Sequence, residues 1–524
     1  MSLLPGRCSL VLRDTASVTF ALGLAVIAAL LLIRLPPFHA LVFVGTAVVA
    51  IGTLFEPFVG LGAALFLGPL KAYLSAEVPQ IPAQIGHVFV VLALVSWLAQ
   101  RLSRRDLRIG HSSLLVALLA FIGAALLSLW DAAGLVEFGV PELLKWLQIV
   151  VLCILVGEHL LEGTDGASVR ADSCRTGRRL RWLVIALLGV GLFQAGIGIW
   201  QFALRGEGPE HFAILGGDLF RAYGTFEQPN PYAGYLGLIA SLALGITADG
   251  IRVRLTGGDH DMLHLDPSSD SWIESPNGLP AGAALTILAG GAGLVMLVAL
   301  GASWSRGAWM GFGAATLAVA VSLPRRARWG ILLAIGALAL GLGLYTSGRL
   351  PTSLTARLTS FVRDVRLEDV RGVAISDANY AVIERMAHWQ AALSMLRHNL
   401  WRGVGLGGFE VAYSAFALVN WPIALGHAHN IYLNLAAETG VIGLVAYLFL
   451  WLVIFRQTWC VTRCAHGLSR GLAVGLLGAW THISVHHLLD NVYVNNAHLS
   501  IGVLFGILVF IFQVSCGMTT AYDR

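Results

Sequence analysis

Residues 281–346 read AGAALTILAGGAGLVMLVALGASWSRGAWMGFGAATLAVAVSLPRRARWGILLAIGALALGLGLYT. Three apolar stretches stand out, at 281–302, 305–322 and 328–346. Each approaches the roughly 20 residues that a helix needs to cross a bilayer. The only charges are Arg306 at the first break and Arg325, Arg326 and Arg328 at the second. Basic residues collect in cytoplasmic loops. The second break is therefore expected inside, and Arg306 is left alone on the outer side.

The same pattern extends in both directions. The chain has 524 residues, 57% hydrophobic and 12% charged, with a mean hydropathy of +0.75. A soluble domain carries about 25% charged residues, so the composition is that of a membrane protein. Fourteen apolar stretches are expected to span, near 17–34, 38–55, 57–74, 82–100, 113–130, 139–160, 181–204, 231–248, 281–302, 305–322, 328–346, 431–455, 471–490 and 498–515. The expected fold is an all-α polytopic transmembrane bundle of about 12–14 spans. It divides into a helical region at 1–346, an extracytoplasmic loop or cap at 347–430 and C-terminal spans at 431–524. With both termini cytoplasmic, twenty arginines fall in inner segments and five Arg or Lys in short outer loops and span edges, which sets the orientation. Arg34-Leu35-Pro36-Pro37 follows Val18–Ile33 without a small-residue cleavage site, so that run reads as a retained span. Cys8, Cys174, Cys460, Cys464 and Cys516 fall inside and Cys153 within a span, so no disulfide is expected. Cys460, Cys464 and His466 lack a fourth ligand at finger-like spacing and read as incidental. A net charge of +4 gives no nucleic-acid footprint.

Ionisable groups at membrane depth cost about 2.5–3.5 kcal/mol each on insertion scales, and those left unexplained gather on the outer side. Arg221-Ala-Tyr-Gly-Thr-Phe-Glu-Gln-Pro-Asn-Pro231 precedes the eighth span. Asn230 and Pro231 suit a helix cap and first helical position, which would set Arg221 beside free N–H groups, an anion site. On local features alone, an ordinary capped entry with a snorkelling arginine is the favoured reading. Arg306, in Gly301-Ala-Ser-Trp-Ser-Arg306-Gly307, has almost no loop to carry it away. Two outward arginines suit a diphosphate better than a single charge. In Gly426-His427-Ala428-His429-Asn430-Ile-Tyr432-Leu-Asn434-Leu-Ala-Ala-Glu438, a helix starting near Asn430 puts Asn430, Asn434 and Glu438 on one side. His429 stands at the surface with an imidazole suited to general-base work; a structural histidine is the alternative. His482, His486 and Asp490 share a helical side in the thirteenth span, beside His487. Without HExxH spacing they read as a polar seam facing the same cavity rather than a metal site. Gly403-Val-Gly405-Leu-Gly407-Gly408-Phe409 reads as a turn; no strand–helix unit frames it as a nucleotide loop.

RAYGTFEQPNPYAG, SWSRGAW, and the HAHN segment with Arg402–Phe409 upstream and Gly440-Val-Ile-Gly443 downstream occur in that order. Together they resemble the O-antigen ligase and polymerase superfamily over about 180–455. The histidine-rich thirteenth span and the number of spans depart from the lipid A-core ligase pattern, leaving the acceptor open. The resemblance implies a metal-independent, inverting membrane glycosyltransferase at the outer face of a bacterial inner membrane. Its donor would be a glycan on undecaprenyl diphosphate, its acceptor a glycolipid, glycan or protein, and it would need no cofactor. It implies that Arg221 and Arg306 bind the donor diphosphate and that His429 activates the acceptor hydroxyl. Asn430, Glu438, His486 and Asp490 are the expected orienting or acceptor-side residues. A polymerase or a protein O-oligosaccharyltransferase of the same superfamily is the nearest alternative. Others are a bicarbonate-like solute transporter, which favours internal repeats that are not seen here, and a non-catalytic scaffold.

Overall fold

A computed structural model describes residues 36–516, except 79–80, 107–108, 131, 133, 163–168, 257–280, 353–354, 358, 360–368 and 377–378. The expected span at 17–34 and both termini lie outside the described residues. The other thirteen expected spans each coincide with helix. They are α1 (Pro37–Phe55), α2 (Pro57–Leu67) with α3 (Lys71–Glu77), α4 (Ile85–Ser103), α5 (Ser113–Ser128), α6 (Val140–Leu161) and α7 (Val169–Ala203). Then follow α8 (Pro229–Thr256), α9 (Ala281–Ala302), α10 (Arg306–Ser322) and α11 (Ala327–Thr346). The cap carries α12 (Tyr380–His398) and α13 (Phe409–Phe416), and α14 (Ile431–Cys464), α15 (Gly467–His486) and α16 (Ala497–Ser515) complete the order. Among the described residues, nine helices are long and apolar enough to cross a membrane. The only strands described are a two-residue hairpin pairing Ala213–Ile214 with Leu219–Phe220.

Two helices are broken where their sequences require it. Gly68-Pro69-Leu70 forms a 3-10 turn between α2 and α3, because Pro69 brings no N–H to continue the ladder. In α14, Gly440 adopts φ +66°, ψ −168°, a conformation open to glycine. A Cβ there would lie 2.3 Å from the Trp401 carbonyl oxygen, so glycine also makes room for the cap.

Small residues set the packing, as lipid gives helices no hydrophobic reason to associate. α8 and α15 pack backbone to backbone: a Cβ on Gly245 would sit 2.0 Å from the Gly475 nitrogen. Gly502 and Gly506 seat α16 on α6, and α16 is buried along nearly its whole length. α11 is the opposite case, with most of its leucines exposed toward where lipid would be. The cap forms its own small cores. One joins Ala391, Met395, Phe409 and Tyr413 to Ala437 of α14; another joins Val382, Ile383 and Met386 to Trp421.

The helix ends gather into two polar layers. At one end, assigned to the cytoplasm by the arginine bias, Arg101 meets Glu158 at 3.2 Å, Arg104 meets Glu162 at 3.3 Å and Arg179 meets Glu56 at 3.2 Å. Buried Arg470 pairs with Asp249 in the same layer. The opposite layer holds the Arg221 loop, the α9–α10 turn and the start of α14.

Candidate functional site

The loop before α8 is clamped from below. Gln201 Oε1 accepts the Tyr223 and Gly224 N–H groups at 3.1 and 2.7 Å, and Gln194 holds Thr225. Gly224 has φ +55°, and a Cβ on it would strike the Tyr232 ring at 2.5 Å. The clamp sets Arg221 against the α9–α10 turn. Ala222 N–H donates to the Ala302 carbonyl at 3.0 Å, and Arg221 Nε donates to the Ser303 carbonyl at 2.9 Å. Its second nitrogen donates to Asn230 Oδ1 at 3.0 Å. Helix α8 begins at Pro229, so the Asn230 side chain accepts from the guanidinium instead of capping the helix.

The same turn holds a second arginine. Arg357, from the cap, donates to the Trp304 carbonyl at 3.3 Å. Arg306 opens α10 one turn-residue further on. Burial first, then the charges of Arg357, Arg385 and Arg306, push Arg221 down to about 9, with Asp490 opposing. It remains a cation at neutral pH. Burial and the charge of Arg385 likewise lower Arg357.

A histidine cluster faces this cationic group. Asn430 caps α14 by accepting the Tyr432 and Leu433 N–H groups at 3.0 and 3.1 Å. Asn434 Oδ1 accepts Ala428 N–H at 2.9 Å. His429, at φ +52°, donates its backbone N–H to His427 Nδ1 at 3.0 Å. Its own Nδ1 lies 3.6 Å from Asp490 Oδ1, and His427 Nε2 lies 3.9 Å from the same oxygen. Ile431 N–H donates to the His487 carbonyl at 2.9 Å, which ties α14 to the end of α15. Both ring nitrogens of His429 are buried without a hydrogen-bond partner among the described residues. At 3.6 Å the Asp490 contact is electrostatic rather than a formed bond. Burial and the neighbouring His429 push His427 down to about 4, so it is neutral and its Nδ1 accepts.

Residues 291–448 match the family model described as O-antigen ligase. The chain carries a domain of the O-antigen ligase superfamily. No curated protein matches the sequence. The matched O-antigen ligase segment contains Arg306, the cap and His429; the Arg221 loop and the α15 histidines lie outside it. With nine apolar helices long enough to cross a membrane among the described residues, the chain is a multi-pass membrane protein, and its matched segment supports an O-antigen ligase or polymerase type of enzyme.

The structure brings Arg221, Arg306, His429 and Asp490 into one cluster, in the layer opposite the Arg101–Glu158 pair. Asn430 contributes a helix cap. Glu438 lies deeper, where its carboxylate accepts Phe409 N–H at 3.4 Å. The Gly403–Phe409 turn lies over it, with Gly405 N–H bonded to the Glu438 carbonyl at 2.8 Å. His486 is buried between two glycines, Gly234 of α8 and Gly307 of α10, whose Cβ atoms would meet its ring at 2.9 and 3.0 Å. α15 ends at His486, so Asp490 belongs to the following turn.

Arg357, Arg385, His388 and His427 join the site without having been assigned to it by sequence. His388 stacks on Tyr413 with ring centres 4.7 Å apart and meets His429 at 5.8 Å. Arg385 and His388 do share a helical side, a signal the sequence carries. Arg357 sits in a stretch with no flanking motif.

His427, His429 and Asp490 could offer a metal one ligand atom each, all within 4.8 Å of one another. The surroundings disfavour a cation: Arg385 acts on Asp490, and the charges of Arg357, Arg385 and Arg306 act on Arg221. A cavity of about 550 Å³ lies elsewhere, lined by Trp130, His398, Trp401 and Arg402. It opens at the far end of α12, about 15 Å along the axis from His388.

Proposed function

We propose that the chain transfers a glycan from a polyprenyl-diphosphate donor to an acceptor hydroxyl at the outer face of the membrane, with inversion. The observation that carries this reading is the position of His429 and Asp490 opposite a half-buried group of four arginines. Such a group suits a diphosphate, which spreads charge over several oxygens that guanidinium groups bind in pairs.

The reaction needs two things from the protein. The acceptor oxygen attacks the anomeric carbon as the carbon–oxygen bond to the diphosphate breaks. The electron pair leaves with the diphosphate, and Arg221 and Arg306 stabilise the charge developing there. The acceptor proton passes to His429, whose imidazolium is then stabilised by Asp490, 3.6 Å away. The products are the new glycoside and polyprenyl diphosphate, with the proton released from His429 afterwards. Neutral His427 fixes the His429 backbone and adds no competing charge.

The test is transfer by the purified chain in liposomes, supplied with a polyprenyl-diphosphate-linked oligosaccharide and a range of acceptors. General-base catalysis contributes roughly 10²–10⁴ in rate, so His429→Ala should lose about that factor. Wild-type product yield from His429→Ala would overturn the base assignment. Product size then separates attachment of a finished glycan from joining of repeat units.

A further inference from the structure

We propose that the same outer end holds a second anion-binding site, built from Lys71, His87, Lys145, Asn496 and His498. Its ligand is a phosphate or carboxylate, carried by a glycan or by a lipid headgroup. The site lies outside the matched family segment, and it rests on the reading above only for the glycan as one source of the anion.

The side chains converge from four helical elements. Lys71 starts α3, His87 lies in the first turn of α4, Lys145 near the start of α6, and His498 in the first turn of α16. His87 Nε2 lies 3.1 Å from Asn496 Oδ1, and His498 Nε2 lies 2.7 Å from Gln148 Oε1. The two imidazole centres are 5.9 Å apart. Lys145 and Gln148 are three residues apart and share a face of α6. The break at Gly68 packs against Asn496, since a Cβ on Gly68 would lie 3.5 Å from the Asn496 Cβ, and this brings Lys71 in. The charges of Lys71 and Lys145 act on both imidazoles.

Three observations point to a ligand. First, His498 and Asn496 are 1% and 5% exposed, yet His498 Nδ1 and Asn496 Nδ2 have no hydrogen-bond partner among the described residues. Second, Lys145 is ion-paired with Glu142, whereas half-buried Lys71, on which the same carboxylate acts, forms no direct ion pair among the described residues. Third, ionisable groups at this depth are costly and mark binding or transport sites by default. A lysine that merely snorkels needs no buried amide and imidazole beside it. An anion here would receive the lysine ammoniums and Asn496 Nδ2, and His498 Nδ1 once that ring is protonated.

The site is separate from the arginine group but shares a wall with it. Tyr73 N–H donates to the Thr225 carbonyl at 3.2 Å, and Asn495 Nδ2 to the Phe226 carbonyl at 3.0 Å. The Arg221 loop is thus the partition. On the other flank, Tyr493 stands between His487 and Trp146, with ring centres 4.9 and 5.1 Å away.

Native mass spectrometry of the full-length chain in uncharged detergent tests this without requiring transfer. The probes are glucose 1-phosphate and dioleoyl phosphatidylglycerol, each titrated separately. At least one should bind, and Lys71→Gln with Lys145→Gln should weaken that binding at least tenfold. Arg221→Ala should leave it within about twofold. Asn496→Ala, a milder change should the double variant misfold, should weaken it about threefold to tenfold. Binding of glucose 1-phosphate assigns a glycan-borne anion; binding of phosphatidylglycerol alone assigns a headgroup. The site is overturned if neither probe binds, if the lysine and asparagine variants bind as wild type, or if Arg221→Ala alone abolishes binding. Because no product is measured, a failed transfer reaction leaves this result standing.

Discussion

The two polar layers of the bundle use similar residues to opposite ends. At the layer assigned to the cytoplasm, Arg101 meets Glu158, Arg104 Glu162, Arg179 and His159 Glu56, and Arg470 and Arg252 Asp249, while Arg325 and Arg463 lie against backbone carbonyls. At the outer layer, Arg221 is held by a carbonyl and an amide oxygen and Arg357 by a carbonyl, while like charges crowd both. Opposite charges within one layer neutralise each other and hold helix ends together. An arginine positioned by neutral oxygens, as Arg221 and Arg357 are, keeps its charge for something else. Arginine content alone does not separate a structural layer from a binding one; the partners do.

The comparison fails first if the outer arginines are structural. Arg221→Ala should cost about 10²–10³ in turnover, the range for removing one preorganised donor, with little change in thermal unfolding. Arg221→Lys should recover only part, because an ammonium cannot reproduce the fork that reaches Ser303 and Asn230 together. A matching fall in stability would place Arg221 with the other layer.

The inner layer should respond in reverse. Asp249→Asn leaves Arg470 buried without its charge partner, and breaking a buried pair costs about 3–5 kcal/mol. The melting temperature in detergent should fall markedly, while folded protein keeps its rate per molecule. Loss of rate without loss of stability would contradict the division.

A smaller effect concerns acid. Burial alone would raise the Glu56 carboxyl, but the bond and charge of His159 and the charge of Arg179 outweigh it and bring it to about 2, from an ordinary 4.5. A carboxyl depressed on folding stabilises the fold above its unfolded value and loses that contribution as pH falls through the folded one. Thermal stability should therefore decline between about pH 4.5 and pH 2, and Glu56→Gln should flatten that part of the curve. An unchanged slope would remove Glu56 from the layer.

The smallest change tests the hinge between fold and site. Asn430→Ala deletes the cap of α14, worth about 1 kcal/mol. Because His429 precedes it directly, turnover should fall modestly along with stability. An unaffected rate would mean that His427 and the His487 carbonyl suffice to hold His429.

The spans were legible because the signal for each is local: enough apolar residues in a row, bounded by arginine, proline or glycine. Asn430 as a cap was legible for the same reason. Arg221, Arg306 and His429 stand out as polar groups in short outer segments flanked by recognisable motifs. Arg357 does not, since its role depends on the cap folding back until it reaches the Trp304 carbonyl. The shared side of Asn434 and Glu438 followed from spacing, but not the glycine turn that lies over the carboxylate. Lys71, His87 and His498 are far apart in the chain, and no periodicity relates them.

The α9–α10 turn has a consequence for how the protein is made. Its consecutive carbonyls, Ser303 and Trp304, are each taken by an arginine from another part of the chain, 82 residues before and 53 after. His429 and Asp490 follow later still. A nascent chain threading into the membrane therefore carries an incomplete centre until its last helices are in place. Assembly order thus acts as a safety interlock, withholding chemistry from half-inserted protein.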